Sequence, residues 1–272
     1  MSFDRFRVQE YIESAVGCED LNNWPNFRTS LEAYTLPHQD ENQVRKNLLD
    51  DGEDLFYKGL LSLGEGLDAV AQKRHSWAAV KLYYSVFYFL RASLAAKGYA
   101  IIKNKSQYLF DLRTGNSPIK KSSTRYRNDH IAVIHIYEDI VGENDILSTN
   151  SIDDNSVYIW LMDRRNQVHY RQRGFLEPDW MEEYAQAKHA IEESKYSDLL
   201  DQYYHDDTPI YCFDPDHAII AVPIRRAINT RNDLFNAGLT VFSKEKLNAA
   251  KSNLERNIDS NCSIWSLFEE HC

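Results

Sequence analysis

Apolar residues recur at helical spacing in five stretches of the chain. The most apolar stretch, residues 75–98, has hydrophobic side chains on nearly every side and ends at Gly98, which suits the left-handed conformation that closes many helices. Because a helix that is apolar all round must be buried, we expect it in the middle of a helical bundle. Narrower apolar stripes in residues 42–73, 130–141, 154–171 and 181–193 predict the surrounding helices. Three glycines weaken the first of these as one continuous helix: Gly59, Gly64 and Gly66.

The two ends of the chain have a different pattern. Residues 1–41 combine one short amphipathic segment with a stretch that contains two prolines, which predicts a loosely structured arm packed on the rest. Residues 198–207 are acidic and predict a linker, whereas the apolar runs 209–213 and 218–222 flank a turn and predict two short strands. The predicted fold class is mainly α, in three parts: an N-terminal arm (1–41), a helical bundle (42–197) and a small C-terminal α/β appendage (198–272).

Composition narrows the class of protein. A length of 272 residues with 43% hydrophobic residues is ordinary for a globular chain. The four cysteines are scattered without a Cys-x-x-Cys pair, which argues against a zinc site or a disulfide framework and favours a reducing compartment. The first residues lack an apolar signal segment, and the apolar run 78–102 contains too many charges for a membrane span. We therefore expect a soluble, cytoplasmic protein with no membrane partner. The cysteines are Cys18, Cys212, Cys262 and Cys272.

Charge is unevenly distributed along the chain. The net charge of -10 argues against a nucleic-acid partner, yet residues 97–127 contain eight lysines and arginines and only one acid, Asp111. A second basic cluster lies at 164–173. Such clusters are typical of a surface that binds a polyanion, although a solvated loop that offsets the acidic remainder explains them equally well. The candidate RNA-binding residues are Lys120, Lys121, Arg125, Arg127 and Arg171.

The stretch 154–171 carries the candidate chemistry. Asn155 or Ser156 can cap this predicted helix, and the helical spacing places Arg164 on its apolar stripe. A buried guanidinium needs a partner or a wet cleft, because an isolated buried charge is costly. The same spacing places Arg165 and Asn166 on the exposed face with His169. A basic, solvated helix end, stabilised by the helix dipole, is the alternative interpretation.

Arg164, four intervening residues and His169 resemble the Arg-x4-6-His signature of the HEPN superfamily. The likeness extends over residues 42–197: a Tyr-Tyr-x-x-Phe-x-x-Leu-Arg-Ala pattern at 83–92 precedes an apolar helix that begins near His130. The resemblance implies a helical bundle that cleaves RNA without a metal or cofactor, through Arg/His sets paired across a two-fold homodimer. This chain differs from many members in that an arginine, not Asn, Asp or His, follows Arg164, so both arginines stay candidates. By its spacing Arg164 is expected to be the catalytic one, and Arg165 is expected mainly to strengthen RNA binding.

RNA cleavage explains why these residue types matter. The ribose 2′-hydroxyl attacks its own 3′-phosphate when a base removes its proton and a cation stabilises the phosphoryl oxygens. His169 suits the proton transfer, Arg164 or Arg165 supplies the cation, and Asn166 orients either group. The sequence therefore predicts an RNA endonuclease (a hydrolase) that leaves 2′,3′-cyclic phosphate or 3′-phosphate ends and is active in EDTA.

Members that resemble this chain commonly act as toxins or antiviral effectors, and an inhibitory or activating partner protein controls them. The resemblance therefore implies such a role here. The alternative is a catalytically inactive HEPN-type scaffold that binds RNA or another protein. Asp214, Asp216 and His217 fit turn chemistry better than a metal site, so we expect no metal.

Overall fold

The computed structural model describes residues 5–126, 128–175, 177, 179–252, 254 and 257–271, and the backbone alone at Glu143. Its helices are α1 (Arg7–Ala15), α2 (Arg28–Ala33), α3 (Glu41–Ala71), α4 (His75–Ala96), α5 (Asp129–Val141), α6 (Val157–Asn166), α7 (Ala185–Glu192), α8 (Tyr196–Tyr204), α9 (Pro215–Asn236) and α10 (Lys244–Lys251). Its strands are β1 (Tyr99–Asn104), β2 (Ser106–Asp111), β3 (Ile119–Lys121), β4 (Ser151–Ile152) and β5 (Asn155–Ser156). Within this described part, no helix is both long and apolar enough to cross a bilayer.

Helix α4 lies in the middle of the molecule, as its apolar sequence predicts. It packs along α3 on one side and against α9 on another, and Gly98 follows it with a φ of 86°. The predicted mainly helical fold and the helices at 42–73, 75–98, 130–141, 154–171 and 181–193 are confirmed to within a few residues. Helix α3 is continuous, because its glycines lie where it packs closely on other elements: Gly59 faces Phe89 and Gly66 faces Leu82 of α4, whereas Gly64 faces Ala250 and Leu254.

A small antiparallel sheet occupies part of the segment predicted as a basic loop. Strands β1 and β2 form a hairpin in which Asn104 pairs with Ser106 across Lys105, which has a φ of 57°, and β3 adds along β2. The buried face of the hairpin, with α1, α2 and the start of α3, encloses a second hydrophobic core. The N-terminal arm therefore packs on the rest, as predicted, and it does so with two short α-helices of its own.

The prediction of two C-terminal strands is wrong. Residues 210–213 form a 3-10 helix and 218–222 lie in the first half of α9, which the Asp214 side chain caps by accepting a hydrogen bond from Asp216 N at 3.0 Å. The described part of 198–272 contains no strand, so the predicted C-terminal α/β appendage is not present. Helix α9 is buried against α3 and α4, in the same core as α5 and α6. A fully buried helix and a buried strand have the same short apolar run, which explains the error.

Candidate functional site

The candidate site forms where α6 ends. Ser156 caps the start of α6 through its hydroxyl, which accepts a hydrogen bond from Ile159 N at 3.4 Å. After Asn166 the helix widens into one π-helical turn, Gln167–Arg171, that carries His169. Single π-helical turns are rare and occur frequently at functional sites. This turn packs against α4, where Tyr84 also contacts Arg165 of α6 and His130 at the start of α5, so side chains from several elements meet in one place.

Arg164 is half-buried and already has an anionic partner. Its Nη1 donates to Glu183 Oε1 at 2.8 Å, and its guanidinium lies 5.2 Å from the Trp160 ring centroid. Glu183 belongs to a short 3-10 helix, Glu182–Tyr184, that precedes α7. The prediction that a partly buried Arg164 needs a partner is therefore confirmed. Because this charge is neutralised within the chain, Arg164 is poorly placed to bind a second anion.

Arg165 is the buried arginine, and the prediction that it shares an exposed face with His169 is wrong. Its side chain is 6% exposed. Its Nη1 donates to Asn166 Oδ1 at 2.9 Å, and its Nη2 donates to the hydroxyls of Tyr84 at 2.9 Å and Tyr170 at 3.3 Å. All three acceptors are uncharged, and no carboxylate of the described residues pairs with it. Its Nε–H is buried without an acceptor.

Aromatic rings surround the Arg165 guanidinium. The ring centroids of Tyr83, Tyr84 and Tyr170 lie 5.7, 5.4 and 4.8 Å from Cζ. Ring faces stabilise a cation, but less than a counter-ion does. The arrangement is thus a desolvated positive charge that keeps unused capacity for an anion.

His130, at the start of α5, lies beside this guanidinium. Its Nδ1 is 2.9 Å from the Tyr83 hydroxyl, and its ring packs 5.6 Å from that of Tyr84 and 4.7 Å from that of Phe87. Burial lowers the pKa of His130, the positive charge of Arg165 lowers it further, and Asp129 opposes both. His130 is therefore neutral at neutral pH.

His169 and Tyr170 form the outer side of the site. Both are exposed, and their ring centroids are 4.6 Å apart. Tyr170, which is 66% exposed, lies over Arg165 and separates its guanidinium from solvent. A series of contacts therefore connects His169 through Tyr170 and Arg165 to Tyr84 and His130.

The predicted RNA-binding cations lie in several places. Arg171 is exposed at the end of the π-helical turn, close to the site, whereas Arg127 lies outside the described residues. Lys120 and Lys121 are on β3, and Arg125 pairs with Asp139 at 2.8 Å. Asp139 is nine residues along α5 from His130, about 14 Å along the helix axis. Acids from outside the basic segment also pair with two of its lysines, Lys97 with Asp233 and Lys103 with Asp129.

Two residues that the sequence favours as turn residues over metal ligands, Asp214 and His217, have partners within the protein. Asp214 caps α9, and His217 Nδ1 is 2.9 Å from the Tyr203 hydroxyl. Across the described residues there is no group of three or more His, Cys, Asp or Glu side chains that could hold a metal ion. Cys18, Cys212 and Cys262 are buried free thiols.

Sequence reasoning did not select four residues of this site: His130, Tyr83, Tyr84 and Tyr170. The sequence offered two signals: a histidine, His130, at the start of an otherwise apolar helix, and two adjacent tyrosines, Tyr83 and Tyr84, on the central helix. Neither signal shows that the side chains meet around one arginine. Comparison of the chain with protein-family models, with curated proteins and with solved structures finds no match, so a functional proposal depends on the geometry of this site.

Proposed function

We propose that this protein is a metal-independent endoribonuclease whose site contains Arg165 and His169. The observation that carries the proposal is the Arg165 guanidinium, which is 6% exposed and, among the described residues, has only neutral hydrogen-bond partners, whereas Arg164 has the carboxylate of Glu183. A phosphodiester supplies the missing negative charge and matches the planar array of donors of a guanidinium. An exposed histidine near the arginine, His169, favours chemistry at the bound phosphate over binding alone.

The proposed reaction is transesterification within RNA. The 2′-oxygen attacks phosphorus and loses its proton, the bond from phosphorus to the 5′-oxygen breaks, and that oxygen gains a proton. The products are a 2′,3′-cyclic phosphate and a 5′-hydroxyl. Arg165 stabilises the charge on the phosphoryl oxygens, and exposed His169 transfers a proton. The second proton comes from the corresponding histidine of a second copy in a two-fold homodimer.

Substrate binding requires Tyr170 to move. Its ring lies over Arg165, but the hydrogen bond that holds it is long, 3.3 Å, and most of its surface is in solvent. Rotation of this side chain opens Arg165 without disturbing the buried bond to Tyr84. The freed ring is then available to stack on a base, as aromatic residues do in single-stranded RNA sites.

The test is incubation of the purified protein with single-stranded RNA in EDTA. We expect fragments that end in 2′,3′-cyclic phosphate, and a loss of cleavage of about 10²-fold or more in His169→Ala, the scale of acid–base catalysis. His189→Ala is the control. Like His169, His189 is exposed; it lies on α7, and its ion-pair partner among the described residues is Glu193. Cleavage that requires Mg²⁺ and persists in His169→Ala would exclude the proposal.

A catalytically inactive scaffold is the second candidate. The closed position of Tyr170 and the pairing of Arg164 with Glu183 favour it, because Arg165 is covered and the charge of Arg164 is already neutralised in this structure. RNA that binds without being cut, under any of the conditions above, would support the scaffold. If the nuclease is active, we further propose that it is a toxin or antiviral effector whose activity a partner protein controls.

A further inference from the structure

The hydrogen bond between Tyr83 and His130 determines which ring nitrogen carries the proton. Tyr83 is 1% exposed, and its hydroxyl has one hydrogen-bond partner among the described residues, Nδ1 of His130 at 2.9 Å. Burial raises the pKa of Tyr83, so its hydroxyl keeps its proton. A buried hydroxyl hydrogen needs an acceptor, and Nδ1 is the acceptor available. In neutral His130 the ring proton is therefore on Nε2.

The Nε2–H of His130 is left for another group. No described residue accepts a hydrogen bond from it, and it is not among the buried atoms that lack a partner, so it is open to solvent. The charged groups around the ring are Arg165 from α6 and Asp129 on its own helix, and Asp129 already pairs with Lys103 from β1. From α4 the ring meets only tyrosines and Phe87.

We propose that the Nε2–H of His130 and the guanidinium of Arg165 together bind one phosphate of the RNA, with His130 acting as a neutral hydrogen-bond donor. This inference rests on the proposed nuclease function and adds a phosphate-binding residue to it. A positive charge beside the ring and burial of its inner edge both favour the neutral form, which donates from Nε2 without adding a second desolvated cation next to Arg165.

The same hydrogen bond prevents His130 from acting as the base that accepts a proton. With the proton on Nε2 and a hydrogen bond from Tyr83 on Nδ1, neither nitrogen has a free lone pair to accept the proton of a 2′-hydroxyl. Proton transfer therefore stays with His169, and His130 stabilises the phosphate.

Two substitutions distinguish a donor from a base. His130→Gln keeps an N–H group near the position of Nε2, whereas His130→Leu keeps the volume and removes every donor. We expect the leucine variant to bind a short single-stranded 2′-fluoro RNA, which cannot be cleaved through its 2′-position, about tenfold to a hundredfold more weakly than the wild type, and the glutamine variant to recover most of this loss. Leucine in place of His135, which lies on α5 and bonds Glu138 at 2.9 Å, is the matched control.

Nitrogen NMR of the histidine-labelled wild type measures the tautomer directly, and thermal unfolding shows whether each variant folds. A proton on Nε2, with weaker binding in His130→Leu and recovery in His130→Gln, supports the inference. Equal loss of cleavage in both variants with unchanged binding would make His130 a base and overturn it. If the wild-type protein cleaves RNA and His130→Leu binds and cleaves normally, the inference fails while the proposed function stands. If the wild-type protein neither binds nor cleaves RNA, both fail.

Discussion

At the scale of single residues, the two adjacent arginines differ in whether their charge is already neutralised. Arg164 has a carboxylate at 2.8 Å, whereas Arg165 is more deeply buried and has three hydroxyl or amide oxygens instead. Burying a charge costs several kcal/mol unless an opposite charge offsets it. Three tyrosine rings offset part of this cost, and an anionic ligand offsets more. The Nε–H of both arginines is buried without an acceptor, but Arg165 alone of the two has no described carboxylate beside it, so Arg165 is the better candidate for contact with phosphate.

Alanine substitutions of the two arginines test this difference. We expect Arg165→Ala to lower turnover by about 10²-fold or more, because it removes a preorganised charge from the transition state. Arg164→Ala, the matched control one position earlier, should keep turnover to within about tenfold, because its loss mainly frees Glu183. Cleavage rates at saturating RNA measure both effects, and thermal unfolding checks that each variant folds. If Arg164→Ala is inactive and Arg165→Ala is active, the spacing of four residues between Arg164 and His169, and not burial, identifies the arginine that cleavage requires.

The sequence predicted candidate residues on one segment but did not predict their geometry. Arg164, Arg165, Asn166 and His169 all lie at or near the site, yet Arg165, which was predicted to be exposed, is the more buried of the two arginines. The helical-wheel argument assumes 100° per residue, and the wider π-helical turn after Asn166 changes the direction of His169 relative to Arg165. The carboxylate of Glu183, nineteen residues beyond Arg164, comes from another element, and no local pattern predicts that pairing.

At the scale of elements, the crossing of α3 and α4 fixes the positions of the tyrosines at the site. Gly59 lets the two helices approach, because a Cβ there would meet the ring of Phe89, with Cζ 2.9 Å away. Phe89 is fully buried and its ring cannot move aside cheaply. The glycines in α3 therefore result from close packing and do not break the helix.

Substitution of glycines in α3 tests this explanation. Gly59→Ala should destabilise the fold by about 1–3 kcal/mol, because overpacking outweighs the better helix propensity of alanine. Gly64→Ala in the same helix should be close to neutral, since its nearest contacts are 3.3 Å to Ala250 O and 3.4 Å to Leu254 Cγ. Urea unfolding followed by circular dichroism measures both changes. A stabilised Gly59→Ala would mean that α3 and α4 can separate slightly at no cost.

Sequence periodicity predicted the helices well and the strands poorly. Helices such as α4 and α5 are long or strongly apolar, and their patterns have a single interpretation. The run 218–222 is rich in β-branched residues but lies in a part of α9, residues 218–227, that is buried throughout, and α9 packs on elements that include α3, α4 and α8. The hairpin β1–β2 was not predicted, because its segment is rich in basic residues and was interpreted as a loop. In the structure, buried positions alternate with less buried ones along residues 99–104, as in a strand.

At the scale of the whole molecule, Arg226 of α9 connects elements that lie far apart in the chain. It is 1% exposed and bonds Asp145 and Asp233 at 3.2 Å each, Ser93 of α4 at 3.2 Å and the hydroxyl of Tyr137 on α5. The buried charges satisfy one another, so removal of one partner leaves the others unpaired in the interior. The helices that carry Tyr84 and His130 are therefore held together by a residue beyond position 197.

A truncated protein, residues 1–197, tests whether the helical bundle folds without residues 198–272, the segment predicted as an appendage. We expect this fragment not to fold, because it loses α9, exposes the faces of α3 and α4 that α9 covers, and leaves the buried Asp145 without Arg226. Amide NMR dispersion and cooperative thermal unfolding are the measurements. Co-expression of residues 1–197 with residues 198–272 is the control, and the two fragments should co-purify and regain a single transition. Sharp, dispersed spectra from residues 1–197 alone would show that the helical bundle is an independent domain and that α9 only adds to it.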